Sequence, residues 1–444
     1  MRSMLREHPA RREIVGEMHL RRWPLVGPGM RIVQIVRLAD PDEEAEEQSA
    51  LFARLAVDRG SCEAGRRHFS ATVSEGVKLT WERHSEASTL SLFADEGAGE
   101  LDAAVEWAEA LPGAAVRATK ICIVASESEA AAVIAQLPFD PLQLVSCTIG
   151  DGARIWSDFR IRDDGYGCLV VAANGLAPGD LTRAVQRLQE LGNYRNLALL
   201  GLPVARESWP RLDEVESDLR NLGDELARTD VRDDELLERL CRVSLGLAAL
   251  AGATGYRMSA TAAYAQLVEE RLTELRPEPI AGYPSLFDFT QRRLLPAVRT
   301  CSAFDRRERE LTRRTAHVTS LLRTRIETRI ENQNARMLGA LNRSANMQLR
   351  LQHLMEGLSV VAISYYSVSL LRFFLAEVGT RAPGRFVYPI KAAAVPIVIG
   401  LVFVGLRHLR RRALRDSSDG PAPADTSRPW PNLTEATVSV RNFL

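Results

Sequence analysis

The chain has 444 residues, 46% of them hydrophobic, and its 57 basic and 57 acidic side chains cancel to a formal net charge of zero. That balance offers no global charge to recruit nucleic acid or an acidic partner, and the length allows about three domains of ordinary size. Six cysteines (Cys62, Cys122, Cys147, Cys168, Cys241, Cys301) with no CxxC pair exclude a disulfide framework or a zinc knuckle and are expected as small buried apolar residues.

The first 30 residues carry Arg2, Arg6, Glu7, Arg11, Arg12 and Glu13 without an apolar run, so no cleavable signal peptide is expected. Met30 to Leu38 (MRIVQIVRL) predicts a strand. Asp40 to Ala56 predicts a helix, with Pro41 in its first turn and Glu43, Glu44, Glu46 and Glu47 suited to the positive end of the helix dipole. Further strands are predicted at His68–Val73, Val77–Arg83, Thr89–Phe93, Lys120–Val124, Leu144–Ile149, Ala153–Ile161 and Cys168–Ala172. Short Gly and Asp turns between them favour antiparallel hairpins, so residues 1–175 are expected to form an α+β cytoplasmic domain.

Two clusters in this region have the ligand types of a divalent-metal site. Glu82, His84 and Glu86 alternate in WERHSEAST and would share one face of a strand, while Glu7, His8, Glu17 and His19 lie in REHPARREIVGEMH. The competing reading is a solvent-facing polar strand and a charged helix.

From residue 176 to 300 the pattern turns helical. Leu212, Val215, Leu219, Leu222 and Leu226, then Leu236, Leu240, Val243, Leu247 and Leu250, keep helical spacing across an Asp-rich connection, as paired helices do. Residues 207–238 hold twelve acidic side chains against four arginines, whereas 311–354 hold eight arginines against two glutamates. These complementary charges predict that the acidic hairpin packs beside a basic stalk helix spanning 301–356, within one subunit or between neighbours. Along the stalk, Val318, Leu322, Ile326, Ile330, Met337, Leu341 and Ala345 form a stripe suited to self-association. The stalk lacks interleaved aromatic residues, so its arginines are expected to meet anionic lipid rather than nucleic acid.

Two apolar segments, 357–376 and 387–406, each match the roughly 20 residues needed to cross a bilayer. The short loop between them predicts a C-terminal transmembrane helical hairpin. Arg336, Arg343 and Arg350 precede it and Arg407, Arg410, Arg411, Arg412 and Arg415 follow it, against Arg381 and Arg385 in the loop, so both termini are expected in the cytoplasm and the protein in a bacterial inner membrane. Arg372 and Lys391 sit near the loop ends of their spans, where long side chains reach the interface. Ser359, Ala362, Tyr366 and Ser369 fall on one face of the first span, with Ser364, Tyr365 and Ser367 nearby. Small and hydroxylated residues suit close helix packing, and equally a hydroxyl-lined pore. Residues 407–444 predict a basic, then disordered, cytoplasmic tail.

No Walker A loop, GxGxxG after a strand, HExxH or GxSxG is present, so neither catalysis nor a bound cofactor is expected. The segments REHPARREIVGEMH, WERHSEAST, ATGYRMSATAAY, RLLPAVRTC, LLRTRIETRIENQN and MQLRLQHLMEGLSVVAISYYSVSLL resemble, over nearly the whole chain, a bacterial family of membrane-anchored proteins known as a domain of unknown function. The layout is also similar to CorA-type magnesium transporters, although the Gly-Met-Asn loop signature is absent and the loop reads EVGTRAPGRF. The segments and their charges predict a membrane-anchored, self-associating scaffold or sensor, and the similarity to the CorA-type layout implies an oligomeric ion channel as the alternative. A membrane-tethered metal enzyme, resting on the Glu/His clusters, is the third reading.

Overall fold

The computed structural model describes residues 8–11, 14–15, 23–55, 67–228, 230–378, 396–405 and 407–408. The chain divides into two compact units, residues 1–325 and 326–444.

The first unit is built on a nine-stranded sheet of β1 (Arg31–Leu38), β2 (His68–Ser74), β3 (Val77–Arg83), β4 (Ala87–Ala94), β5 (Ala114–Val124), β6 (Val145–Ile149), β7 (Ala153–Ser157), β8 (Gly167–Ala172) and β9 (Glu278–Pro279). Their spatial order is β2-β3-β4-β1-β5-β8-β7-β6-β9. Neighbours are antiparallel, as the short turns predict, except that β5 and β8 run parallel. A parallel pair needs a long crossover. Here the chain from β5 to β8 carries a helix, Glu127–Gln136, together with the β6–β7 hairpin.

Helices cover both faces of the sheet. In β1 every residue from Ile32 to Arg37 is buried, as in a strand with no solvent side. On one face Val33, Ile35, Leu79, Trp81, Leu90 and Leu92 pack against Leu51 of α1 (Pro41–Leu55) and Leu101, Ala104, Val105 and Ala108 of α2 (Leu101–Glu109). The helix α3 (Glu127–Gln136) closes a smaller cluster around Val124, Trp156 and Val170. Its Ser126 cap accepts from the Glu129 amide while Glu129 accepts from the Ala125 amide, a reciprocal arrangement that satisfies two otherwise orphaned donors.

On the opposite face Ile32, Ile121, Ile123, Leu169 and Val171 meet Leu181, Val185, Leu188 and Leu191 of α4 (Pro178–Leu199). The same core takes in Val268, Leu272 and Leu275 of α6 (Asp233–Leu275) and Leu286 and Leu294 of α7 (Leu286–Val378). Sheet and helices therefore share one core across residue 175. Burying each large aliphatic side chain contributes about 1.5–3 kcal/mol. Between α4 and α6 runs α5 (Gly201–Leu226); a Cβ at Gly201 would lie 2.2 Å from the Thr261 hydroxyl oxygen, so glycine is what lets α5 approach α6.

The long helix starts earlier than the sequence predicts. Ser285 and Asp288 form a reciprocal cap at its N-terminus, with Asp288 Oδ2 accepting from the Ser285 amide at 3.1 Å and Ser285 Oγ accepting from the Asp288 amide at 3.0 Å. Pro296, which removes an amide donor and ordinarily interrupts a helix, lies inside it.

The predicted charge complementarity is realised within one chain. Arg307 of α7 pairs with Asp213 and Glu216 of α5, and this hydrogen bond holds the Glu216 carboxyl below its ordinary range. Arg325 donates to the carbonyls of Leu226, Arg228 and Val231 at 2.7–2.9 Å and pairs with Asp233 at 2.9 Å. It thereby closes the connection between α5 and α6 by satisfying carbonyls that a helix end leaves orphaned. The stripes of this hairpin are buried at Leu212, Leu219 and Leu222 and at Leu236, Leu240, Val243, Leu247 and Leu250.

Cysteine burial departs from expectation at one place. Cys147 and Cys301 are buried and Cys122 and Cys168 half-buried, but Cys241 lies on the exposed side of α6; Cys62 lies outside the described residues. Burial pushes the Cys147 thiol up to about 11.

In the second unit the first predicted span, 357–376, falls inside α7. Of the second, Pro396–Gly405 is a short apolar helix, α8, while the loop 379–386, Lys391 and the tail beyond 408 lie outside the described residues. The stalk stripe changes character along its length, from buried Leu322 to exposed Ile330, Met337 and Leu341.

Replacing Arg325 by alanine removes one ion pair and three carbonyl contacts at once and is expected to lower stability by about 2 kcal/mol. Arg336→Ala, at an exposed position, should stay within about 0.5 kcal/mol of the parent. Thermal unfolding of the detergent-purified full chain distinguishes the two, and equal effects would show that the Arg325 contacts contribute nothing.

Candidate functional site

Strand alternation and helical periodicity bring two arginines together beneath α4. On β5 the side chains of Arg117, Thr119, Ile121 and Ile123 point to one face, and the last three are buried there. On α4 Leu181, Leu188 and Arg195 recur at seven-residue intervals, which carries Arg195 onto the buried stripe. A register shift aids this placement: Val36 of β1 lies opposite Arg117 and Arg37 opposite Ala115, leaving Val116 as the extra residue of a bulge. Bulges of this kind re-aim side chains.

Arg117 Nη1 donates to three amide oxygens, Gln34 Oε1 at 3.0 Å, Gln189 Oε1 at 2.8 Å and Asn193 Oδ1 at 2.8 Å. Its guanidinium lies against Gly192, where an added Cβ would come within 2.7–2.8 Å of three of its atoms. Arg195, only 8% exposed, lies over the rings of Phe159 and Phe289, with its guanidinium carbon 4.6 and 5.2 Å from their centroids. The two rings stack on each other at 4.5 Å. Phe159 holds a left-handed backbone, φ +51°, which costs a non-glycine residue on the order of 1 kcal/mol or more.

Both arginines are charged in surroundings that disfavour charge. Arg117 keeps some accessible surface, on the cavity it lines, yet protein encloses its head group closely enough that lost hydration, and then Arg195, push its pKa down to about 9. Lost hydration alone pushes Arg195 down to about 10. Among the described residues neither has a carboxylate within ion-pair distance. Asp158, the residue before Phe159, is engaged by Arg162 at 3.0 Å.

A cavity of about 210 Å³ opens between these groups, lined among others by Val116, Arg117, Phe159, Gln189, Arg195 and Leu286. Arg160, paired with Asp140 at 3.5 Å, adds a third cation to the lining. The one thiol there, Cys168, is driven toward its protonated form by burial. The chemistry of the lining is thus that of binding negative charge.

The residues singled out by sequence fall elsewhere. Glu82, His84 and Glu86 do not share a strand face: Glu82 ends within β3, opposite His68, while His84 and Glu86 form the turn into β4. The His84 amide donates to the Ala87 carbonyl, and that turn breaks the alternation. Glu86 is bound by Arg257 at 2.9 Å and by the Tyr256 hydroxyl at 3.1 Å. Among the described residues no three His, Cys, Asp or Glu side chains converge as a metal site. His8 is described, with its Nδ1 accepting from the Ala10 amide, but Glu7, Glu17 and His19 lie outside the described residues. In the first predicted span Ser359, Ala362, Tyr366, Ser369 and Arg372 are all exposed, whereas Ser364 is buried. Nothing in composition pointed to Arg117 and Arg195. Their register did, because each sits in phase with buried aliphatic residues.

The model of a family described as "Protein of unknown function (DUF3422)" matches residues 6–413, nearly the whole chain. No curated protein matches the chain.

Two outcomes test the geometry. Gly192→Ala should destabilise by about 1–3 kcal/mol, because Arg117 is tethered at three points and cannot yield. In an Arg117→Ala background the same change should cost far less, and additive effects in a double-mutant cycle would refute the contact. Arg195 has a folded-state pKa below its unfolded value, so its burial destabilises at neutral pH and this cost is relieved as pH rises through about 10. Arg195→Met should therefore be the more stable at pH 7, by a margin that shrinks above pH 10, as unfolding across pH would show.

Proposed function

The chain belongs to the DUF3422 family, and from that premise we propose that it is a membrane-anchored, non-enzymatic sensor that self-associates in a bacterial cytoplasmic membrane, with both termini cytoplasmic. One observation carries the membrane part. The helix from Leu286 to Phe373 contains an 18-residue window apolar enough to span a bilayer, and only 6% of that window is buried. Leu358, Val361, Leu370 and Phe373 are each more than 60% exposed, and apolar surface on this scale calls for lipid or protein cover. Arg336, Arg343 and Arg350 before the window favour a cytoplasmic approach to it. The cavity in the first unit supports a sensor over a plain scaffold, since a sensor needs somewhere to hold its signal.

An oligomeric channel of the CorA-type layout is the second reading. It is favoured by the exposure of the hydroxyl-bearing face, Ser359, Tyr366 and Ser369. A closed ring of several subunits in detergent-corrected light scattering, with ion flux in liposomes, would move it ahead.

The anchor is tested by fractionation. The wild-type chain is expected to stay with membranes through an alkaline carbonate wash. Ser367→Arg with Val368→Arg in the first span, combined with Ile397→Arg and Ile399→Arg in the second, should release it, because each arginine at a span centre costs about 2.5–3.5 kcal/mol on insertion scales. Wild-type protein recovered in the wash would sink the anchor.

A further inference from the structure

We propose that the cavity beneath α4 binds a small organic oxyanion, a phosphate or carboxylate, held by the guanidinium groups of Arg195 and Arg117. The inference goes beyond the membrane reading and stands without it, since every residue involved lies in the first unit.

The first support is unbalanced charge. Buried arginines ordinarily face a carboxylate, because an unpaired charge out of water is expensive. The chain has 57 acidic residues and brings none of its described ones into ion-pair distance of this pair. Arg195 Nη1 has no hydrogen-bond partner although it has almost no accessible surface, and the same is true of Gln189 Nε2. Both residues line the cavity. These are donors only on the atoms concerned, so the missing partner is an acceptor.

The second is shape. Arg117 is fixed by three amide oxygens and by the absence of a side chain at Gly192. The guanidinium carbon of Arg195 lies 4.6 and 5.2 Å from the ring centroids of Phe159 and Phe289, which favour its charge but accept none of its in-plane hydrogen bonds, so its donors remain for a ligand. Phe159 holds a left-handed backbone beside this guanidinium, and such strain concentrates at binding sites. A planar fork of donors matches the oxygens of carboxylate and phosphate.

Size sets the class. The cavity, at about 210 Å³, far exceeds the roughly 10–15 Å³ that admits one water, so a head group with a few attached carbons fits. Leu188, Leu191 and Leu286 offer those carbons an apolar wall.

The test is thermal unfolding of the full-length, detergent-purified protein with millimolar inorganic phosphate, glycerol 3-phosphate or succinate, against sodium chloride of equal ionic strength. At least one oxyanion should raise Tm by several degrees in a concentration-dependent way while chloride does not. A greater effect of glycerol 3-phosphate than of phosphate would assign a phosphomonoester, and an effect of succinate alone a carboxylate. Arg195→Met should abolish the shift, and Arg195→Lys, which keeps the charge but loses the fork, should weaken binding at least tenfold. Arg183→Gln, at an exposed position on the same helix, should retain it. The proposal is overturned if none of the three probes shifts the wild type, or if the shift survives in both Arg195 variants. Should Arg195→Met fail to fold, the lysine variant and Gln189→Leu decide the matter by the same criterion.

Discussion

The seating of α4 on the sheet is the constraint from which the rest of the first unit follows. Its apolar stripe, Leu181, Val185, Leu188 and Leu191, fills the space over Ile121, Ile123, Leu169 and Val171. The ends of α6 and α7 join the same core, so their positions are set by this one interface. Its polar consequence is that Arg195, one heptad beyond Leu188, is carried inside with the stripe. Hydrophobic burial thus strips a charge of most of its hydration. Two aromatic rings offset part of that cost, but among the described residues no carboxylate comes within ion-pair distance.

Different means secure the helices farther along the chain. Between α5 and α7 the Trp209 ring packs on buried Phe304 at 5.9 Å, and the ion pairs beside it, Arg307 on Asp213 and Glu216, are partly open to solvent and contribute little each. Arg325 is more effective because a single guanidinium gathers three backbone carbonyls and a carboxylate. In the second unit Ile330, Met337 and Leu341 are exposed apolar positions.

Much of the sheet was legible in the sequence. β2 and β3 fall within a residue of their predicted limits, because their alternation is bounded by clear turn residues. The departures gather at the cavity. β5 was predicted from Lys120 but begins at Ala114, since AAVRAT carries alanines of low strand propensity and an arginine that reads as solvent-facing. β7 was predicted to run to Ile161 but stops at Ser157, since the left-handed Phe159 cannot continue a strand. Local signals fail where local conformation serves something else. The Glu82, His84 and Glu86 cluster failed for the opposite reason: alternation in sequence was read as a strand where the chain turns.

The two-residue strand β9 has a bearing on how the protein is made. Residues 278–279 pair with β6 and complete the sheet edge, so the sheet cannot close until more than half the chain has left the ribosome. The apolar stretch at 357–376 emerges later still. Synthesis thus delivers every residue of the arginine cavity before the apolar stretch at 357–376. Vectorial translation lets the sheet and its helices begin to fold without competition from that apolar sequence.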